Sequence, residues 1–231
     1  MKVDVSFIIP SYNEEKNLPH AVGNLIPEIK NVVKSFEIII VNDGSTDSTG
    51  EVAEKIAEKN KHVRVIHHPV NLGFGQTIKD GIRHATKKYV IGFPGDNDTS
   101  AVSIRELLKR AGESDLIISY TVNSSHRSLA RQLFSKMFIL LMNLLLKMHL
   151  RYYNGSFLCK TEDLKKIHLI SPGFTIYAEA KVHLIKKGAQ YIEVPFEHIG
   201  RKYGKSKATN IKSVIETLQV IWYLANKYGN K

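Results

Sequence analysis

Cysteine is nearly absent from this sequence: Cys159 is the only one in 231 residues. That excludes an intramolecular disulfide framework and a multi-cysteine zinc centre, and it fits a reducing compartment. Also lacking is any apolar run long enough to cross a bilayer, which takes ~20 predominantly apolar residues. The nearest approach, MFILLMNLLL from Met137 to Leu146, is bracketed by Lys136 and Lys147 and interrupted by Asn143. Met1 leads directly into VDVSFIIP, without the charged, apolar and small-residue regions of a signal peptide, so a cytoplasmic protein is expected. Acidic residues are in the minority, 22 Asp and Glu against 33 Lys and Arg, for a net charge of +11. Such an excess suits an acidic partner: nucleic acid, anionic lipid or a phosphorylated substrate. Interleaved aromatic RNA-binding motifs are missing, which argues against nucleic acid.

What the chain does contain is ample material for a core, 43% hydrophobic residues, with no internal repeat and no low-complexity linker. The simplest parse is one continuous domain over 1–231. Short β-branched runs alternate with segments of helical period through the first half, the signature of βα units feeding a mostly parallel sheet, hence an α/β fold. The predicted strands are VSFIIP (5–10), FEIIIV (36–41), VRVIH (63–67), YVIGF (89–93) and 116–120. In such sheets ligands gather at the carboxyl ends of strands. The loops there read SYNEE, NDGSTDST, NLGFG and PGDND, rich in residues that permit tight turns and helix caps.

The second half opens with a helix expected from Ser128 to about Leu150. Its centre is apolar on nearly every face, which leaves a buried helix or one lying in a membrane interface. The turn-like YYNGS, a strand at 157–160 and a helix at 176–187 follow. The strand-like YIEVPFEHI leads into the basic loop RKYGKSK. A last amphipathic helix is expected from about Asn210 to Lys227, with Ile211, Val214, Ile215, Leu218, Ile221, Trp222 and Ala225 on one face.

Several residues carry chemistry. Asp96 and Asp98 follow the fourth strand through Pro94 and Gly95, a pair suited to a hard divalent cation that keeps waters and substrate phosphates in its shell. They could equally start the next helix, with Asp98-Thr99-Ser100 as its cap. Asp43, at the end of the second strand, can accept from a base N–H or a ribose hydroxyl; its surroundings also read as a turn with Asp47 or Ser45 capping. Gly73, in NLGFG, opens a helix that could aim backbone N–H groups at a phosphate. Arg131 and Ser135, four residues apart, share a helical face. Arg201, Lys205 and Lys207 form a cationic loop whose mixed guanidinium and ammonium groups suit a diphosphate.

These motifs, in this order, resemble the family-2 glycosyltransferases of the GT-A fold, and within them the dolichyl-phosphate mannosyltransferase-like branch. FIIPSYNEEKNL, IIIVNDGSTDST, NLGFGQTIKDGIRHA and PGDND resemble its first four motifs. YYNGSFLCK, GFTIYAEAKVHLIKKG and EVPFEHIGRKYGKSK resemble its later ones. Asn42 stands where the family often has another Asp, and DNDTSA lacks the glutamine that often follows the aspartate motif in the mannosyl branch. The resemblance implies a Rossmann-like, mostly parallel central sheet with a C-terminal amphipathic helix. It implies a nucleotide-sugar-binding half over 1–120, an acceptor half over 121–208 and the last helix over 209–231. It further implies that Pro10, Tyr12, Glu14 and Asp43 contact the donor's base and ribose, with Gly73 on the same loop edge. Asp96 and Asp98 would hold Mg2+ or Mn2+ against the diphosphate. Arg131, Ser135, Lys205 and Lys207 would lie on an acceptor phosphate, and Arg201 on the leaving group. The expected reaction is inverting transfer of a hexose from GDP-mannose or a UDP-sugar to a polyprenyl phosphate, by an enzyme held peripherally on an anionic cytoplasmic membrane face. Homo-oligomers are compatible with this. A relative acting on a sugar hydroxyl is the alternative; it needs a general base, for which Glu179 in YAEAK is the candidate.

Overall fold

The computed structural model describes residues 2–123, 129–200, 203 and 211–229. Its helices and strands run β1 (Asp4–Ser11), α1 (Leu18–Ile29), β2 (Ser35–Asn42), α2 (Thr49–Lys59), β3 (Val63–His67), α3 (Phe74–His84), β4 (Tyr89–Gly92) and α4 (Ala101–Lys109). There follow β5 (Leu116–Thr121), α5 (Leu129–Leu146), β6 (Phe157–Lys160), α6 (Thr161–Lys165), α7 (Ile176–Lys186), β7 (Tyr191–Phe196) and α8 (Ile211–Tyr228). The seven strands form one sheet in the order β3-β2-β1-β4-β6-β5-β7. All neighbours are parallel except β6, which runs antiparallel to both β4 and β5.

Helices cover both faces, so the central strands bury both sets of side chains and read as continuous apolar runs rather than alternating ones. Along β1, Phe7 and Ile9 enter one core while Ile8 enters the other, as the period of two requires. The first core lies under α1 and α4; the second is filled from α3, α5, α7 and α8. A side chain at Gly81 of α3 would overlap Ile8, so glycine there lets the helix lie close on β1.

α5 ends four residues before the expected Leu150. Asn143, the one polar residue of the apolar run, stops it: its side chain bonds both the N–H and the carbonyl of Leu150 (3.1 and 3.0 Å) and accepts from Tyr153 Oη (2.7 Å). Lys147 then takes a left-handed φ of 49°, and Met148 N donates back to the Asn143 carbonyl at 3.0 Å, the reversal that closes many helices. α8 also departs from expectation. Of its expected apolar face, Ile221 is buried, beside Val220 and Leu224, but Val214, Ile215, Leu218 and Trp222 stay exposed.

Candidate active site

The carboxyl ends of β1, β2 and β4 lie side by side, and their loops lock together. Asn13, at a left-handed φ of 56°, receives Thr46 N on its side chain (2.9 Å) and donates its own N–H to Ser45 Oγ (3.0 Å). Glu14 N donates to Thr49 Oγ1 (2.7 Å), and Asp47 caps Thr49 N (2.9 Å). Tyr12 and Glu14 are half-buried at this edge, whereas Pro10 is buried within the strand.

Asp43 is 3% exposed and both its oxygens are engaged inside the protein. Oδ1 accepts from Leu72 N (2.8 Å) and lies 2.8 Å from His68 Nδ1; Oδ2 accepts from Gly73 N (2.9 Å). The carboxylate and the Gly73 N–H thus face each other, so this N–H is not aimed outward at a phosphate. Gly73 has a φ of 92°, which only glycine adopts readily. His68 Nε2 is 3.1 Å from Asp80 Oδ2, so the imidazole lies between two buried carboxylates.

Asp96 and Asp98 flank Asn97, which turns the chain at a left-handed φ of 54° and is fixed by Asn24 Nδ2 (3.2 Å). Asp98 N donates to Asp96 Oδ1 at 3.1 Å. The helix cap here is Ser100, whose Oγ accepts from Ser103 N, so capping does not consume Asp98. Instead Asp98 Oδ2 lies 3.2 Å from Nδ1 of His198. That histidine is brought over by the continuation of β7: Ile199 N donates to the Asp98 carbonyl (2.9 Å), Ser100 N to the Glu197 carbonyl (3.2 Å), and Asn123 bonds both backbone groups of His198. Among the described residues no three acidic, histidine or cysteine side chains already converge as a metal cage. The two carboxylates of this turn, with the His198 imidazole against one of them, are of the kind that a hard divalent cation takes when substrate and water complete its shell.

Because β6 is antiparallel, its amino end lies at the carboxyl edge of its neighbours and carries the YYNGS turn there. Ser156 Oγ donates to the Gly92 carbonyl (2.9 Å) and Ser119 Oγ to the Ser156 carbonyl (2.7 Å). Lys181, fully buried on α7, donates to the carbonyls of Tyr153 (2.8 Å) and Gly155 (2.7 Å). Burial pushes its ammonium down to about 7. Tyr177 lies beneath Gly92, where a Cβ would overlap its hydroxyl. That hydroxyl is buried without a hydrogen bond, and burial together with the charge of Asp96 raises its pKa.

Glu179 does not stand open to a substrate. It is 0% exposed, and its two oxygens accept from Ile170 N and Ser171 N, both at 2.8 Å. The loop so held passes Gly75 N to the Pro172 carbonyl (2.9 Å), so this carboxylate braces the third loop from behind. Ser135 is half-buried on α5; the side chain of Arg131 is outside the described part of that helix, and Arg201, Lys205 and Lys207 lie outside the described residues. Tyr203 in the same loop is described: its carbonyl accepts from Asn17 Nδ2 (3.2 Å) and its ring stacks over His20, beside the β1 loop.

His198, Tyr177 and Lys181 were not among the expected site residues. A polar residue just past a strand's carboxyl end is the signal that would have found His198. Lys181 and Tyr177 sit in an ordinary helical pattern and give none.

The sequence matches the glycosyl transferase family 2 profile over residues 6–182. The chain belongs to glycosyl transferase family 2. Within curated proteins, this family-2 chain is 32% identical over 157 residues to a dolichyl-phosphate β-glucosyltransferase of Trichomonas vaginalis, covering 63% of this chain and 48% of that one. It is 33% identical over 114 residues to an uncharacterized glycosyltransferase, EpsJ, of Bacillus subtilis, covering 49% and 32%. The chain thus spans about half the length, or less, of the curated relatives it matches. Its fold is similar to that of Mycobacterium tuberculosis glucosyl-3-phosphoglycerate synthase in complex with Mn2+, uridine diphosphate and phosphoglyceric acid. The TM-score is 0.70 at 18% identity, over 98% of this chain and 79% of that one.

Proposed function

We propose that this family-2 protein transfers a hexose, with inversion, from a nucleotide-diphosphate sugar to a polyprenyl phosphate at an anionic membrane surface. The observation that carries the reading is the Asp96-Asn97-Asp98 turn, which stands at the carboxyl edge of the sheet with His198 against it. The fold shared with a synthase bound to uridine diphosphate and Mn2+ supports a UDP-sugar over GDP-mannose, and relatives named dolichyl-phosphate β-glucosyltransferases support glucose and a lipid phosphate. Asp96, Asp98 and His198 would hold Mg2+ or Mn2+, which when bound offsets negative charge on the donor's diphosphate.

In the transfer, an acceptor phosphate oxygen forms a bond to the anomeric carbon as that carbon's bond to the diphosphate oxygen breaks. The electron pair leaves on the nucleoside diphosphate. Asp43 and His68 keep the third loop in register beneath the nucleotide, and Tyr12 and Glu14 line its base and ribose. Arg201 serves the growing charge of the leaving group, and Arg131, Ser135, Lys205 and Lys207 the acceptor phosphate, as the family resemblance assigns them. A phosphate acceptor is already anionic near neutral pH and needs no base. The burial of Glu179, with both oxygens occupied, therefore favours a phosphate over a sugar hydroxyl.

The test is calorimetric titration of UDP-glucose and GDP-mannose with and without Mn2+. Metal-dependent binding of the UDP-sugar is expected, lost in Asp96→Ala and Asp98→Ala while both variants melt as the wild type does. Unchanged affinity and unchanged metal dependence in both variants would sink the assignment.

A further inference from the structure

α5 and α8 are each eighteen residues long, and they adjoin: a Cβ on Gly229, at the end of α8, would lie 3.2 Å from the Leu145 carbonyl near the end of α5. A helix on a soluble surface turns its apolar stripe inward and its polar face outward. These two carry apolar residues on both sides. α5 packs Met142 and Leu146 into the core, yet Leu133, Phe134, Met137, Leu140 and Leu144 are each more than half exposed. Their spacing of one, three or four residues puts them on a single stripe along the helix. α8 packs Val220 and Leu224 inward and leaves Val214, Ile215, Leu218 and Trp222 outward, the last 71% exposed. Taking roughly 100 Å2 for each such side chain, the uncovered apolar area is on the order of 900 Å2, beyond the few hundred Å2 that soluble monomers usually show.

Charge selects what covers it. α5 contains no acidic residue, and the one in α8, Glu216, is turned aside with its carboxylate 2.6 Å from the place of a Cβ on Gly173. Lys136, on α5, and Lys147, just past its end, are both exposed. A second copy of this chain would bring the same lysines and another net charge of +11. An anionic bilayer brings the opposite charge. No described helix is long and apolar enough to cross a membrane, so the geometry is that of helices lying in the interface plane.

We propose that the α5–α8 face is the surface by which this protein lies on an anionic lipid bilayer. Lys136 and Lys147 sit at the headgroups, and the outward side chains, Trp222 among them, enter the acyl boundary. The proposal deepens the reading above and rests on it for its purpose, since a polyprenyl phosphate must be met at a bilayer, but its test needs no acceptor. Trp222 is the only tryptophan in the sequence, so its emission reports on this face alone.

Vesicles of phosphatidylcholine mixed with phosphatidylglycerol, containing no polyprenyl phosphate, are titrated into the protein at low salt and compared with phosphatidylcholine alone. The expected result is a blue shift of Trp222 emission and co-sedimentation with the anionic vesicles only, both reversed by high salt. Leu140→Glu with Leu144→Glu, and separately Lys136→Glu with Lys147→Glu, should each weaken partitioning at least about tenfold. Donor binding, measured by calorimetry on the same samples, should stay as in the wild type and shows that the variants are folded. Absence of sedimentation and shift on anionic vesicles, equal binding to neutral ones, or unchanged partitioning in both folded variants would overturn the proposal. So would light scattering that shows a dimer whose Trp222 is already shielded before lipid is added. Loss of metal-dependent donor binding with vesicle binding intact would instead strike the proposed reaction and leave this surface standing.

Discussion

Replacing Lys181 by methionine should change how stability depends on pH, because this ammonium is buried against two carbonyls and the ring of Phe157, and the charge of Glu193 only partly opposes the effect of burial. Among the described residues no carboxylate makes an ion pair with it. Burial lowers its pKa from 10.5 to about 7. Between those values the unfolded chain binds a proton that the folded protein has released, so stability rises with pH. The contribution is complete above the unfolded pKa and is lost as pH falls through the folded one. The limiting slope is about 1.4 kcal/mol per pH unit, and since half of the folded molecules are already neutral at the start, the gain from pH 7 to 9 is about 2 kcal/mol. Cys159 acts the other way: burial raises its pKa, which costs about 0.4 kcal/mol by pH 9 as unfolded thiols ionise. Subtracting the Lys181→Met profile from the wild type removes that term. The variant leaves the carbonyls of Tyr153 and Gly155 without a donor, about 1–3 kcal/mol for each such group, so the wild type should lead by most at pH 9. Urea denaturation at pH 7, 8 and 9 measures this directly. Parallel profiles for the two proteins would show that Lys181 stays charged when folded and would refute the reasoning.

Glu179→Gln should lower stability by about 2 kcal/mol, the worth of a hydrogen bond to a charged group, while donor hydrolysis at low temperature stays within a few-fold of the wild type. Near-complete loss of turnover in a variant as stable as the wild type would return Glu179 to the role of base. Gly92→Ala should fail to fold well, because its methyl group overlaps the Tyr177 hydroxyl and lies 2.8 Å from the ring carbon that bears it; Tyr177→Phe should relieve the clash only in part, and Tyr177→Leu more fully. Tyr177→Phe alone removes a buried hydroxyl without a hydrogen bond and should melt no lower than the wild type; a clearly lower melting temperature would mean that the hydroxyl has a partner.

Most of the fold was legible because a parallel sheet covered on both faces leaves apolar, β-branched runs such as FEIIIV, a mark that β1, β2, β4 and β5 carry. Their order was not. Nothing local distinguishes β6 from its neighbours, yet it alone runs antiparallel and enters between β4 and β5. The aspartate turn was legible as a candidate because its acids follow a strand directly, and the structure shows that Ser100, not Asp98, caps the next helix. Asp43 and Gly73 were legible as important, but their destination depended on a contact across twenty-nine or thirty residues. Glu179 misled for a related reason: a carboxylate in a helix pattern looks available, and only the loop that folds back over it from Ile170 shows otherwise. The outward stripe of α8 was missed because periodicity identifies an apolar face without saying whether anything covers it.

The place of β6 has a further consequence, for the order in which the chain can assemble as it is made. Strands β1 to β4 are neighbours in the sheet and adjacent in time, so they can pair as they emerge during synthesis. β5 comes next but cannot join them, because the strand that must lie between it and β4 has not yet been translated. It waits, an apolar segment with both edges open, until residue 160 has appeared. β7 then adds to the far edge of β5, and its continuation brings His198 to Asp98. The first four strands can therefore pair early, whereas the core that β1, β2 and α3 share with α5, α7 and α8 closes only when nearly the whole chain has been synthesised.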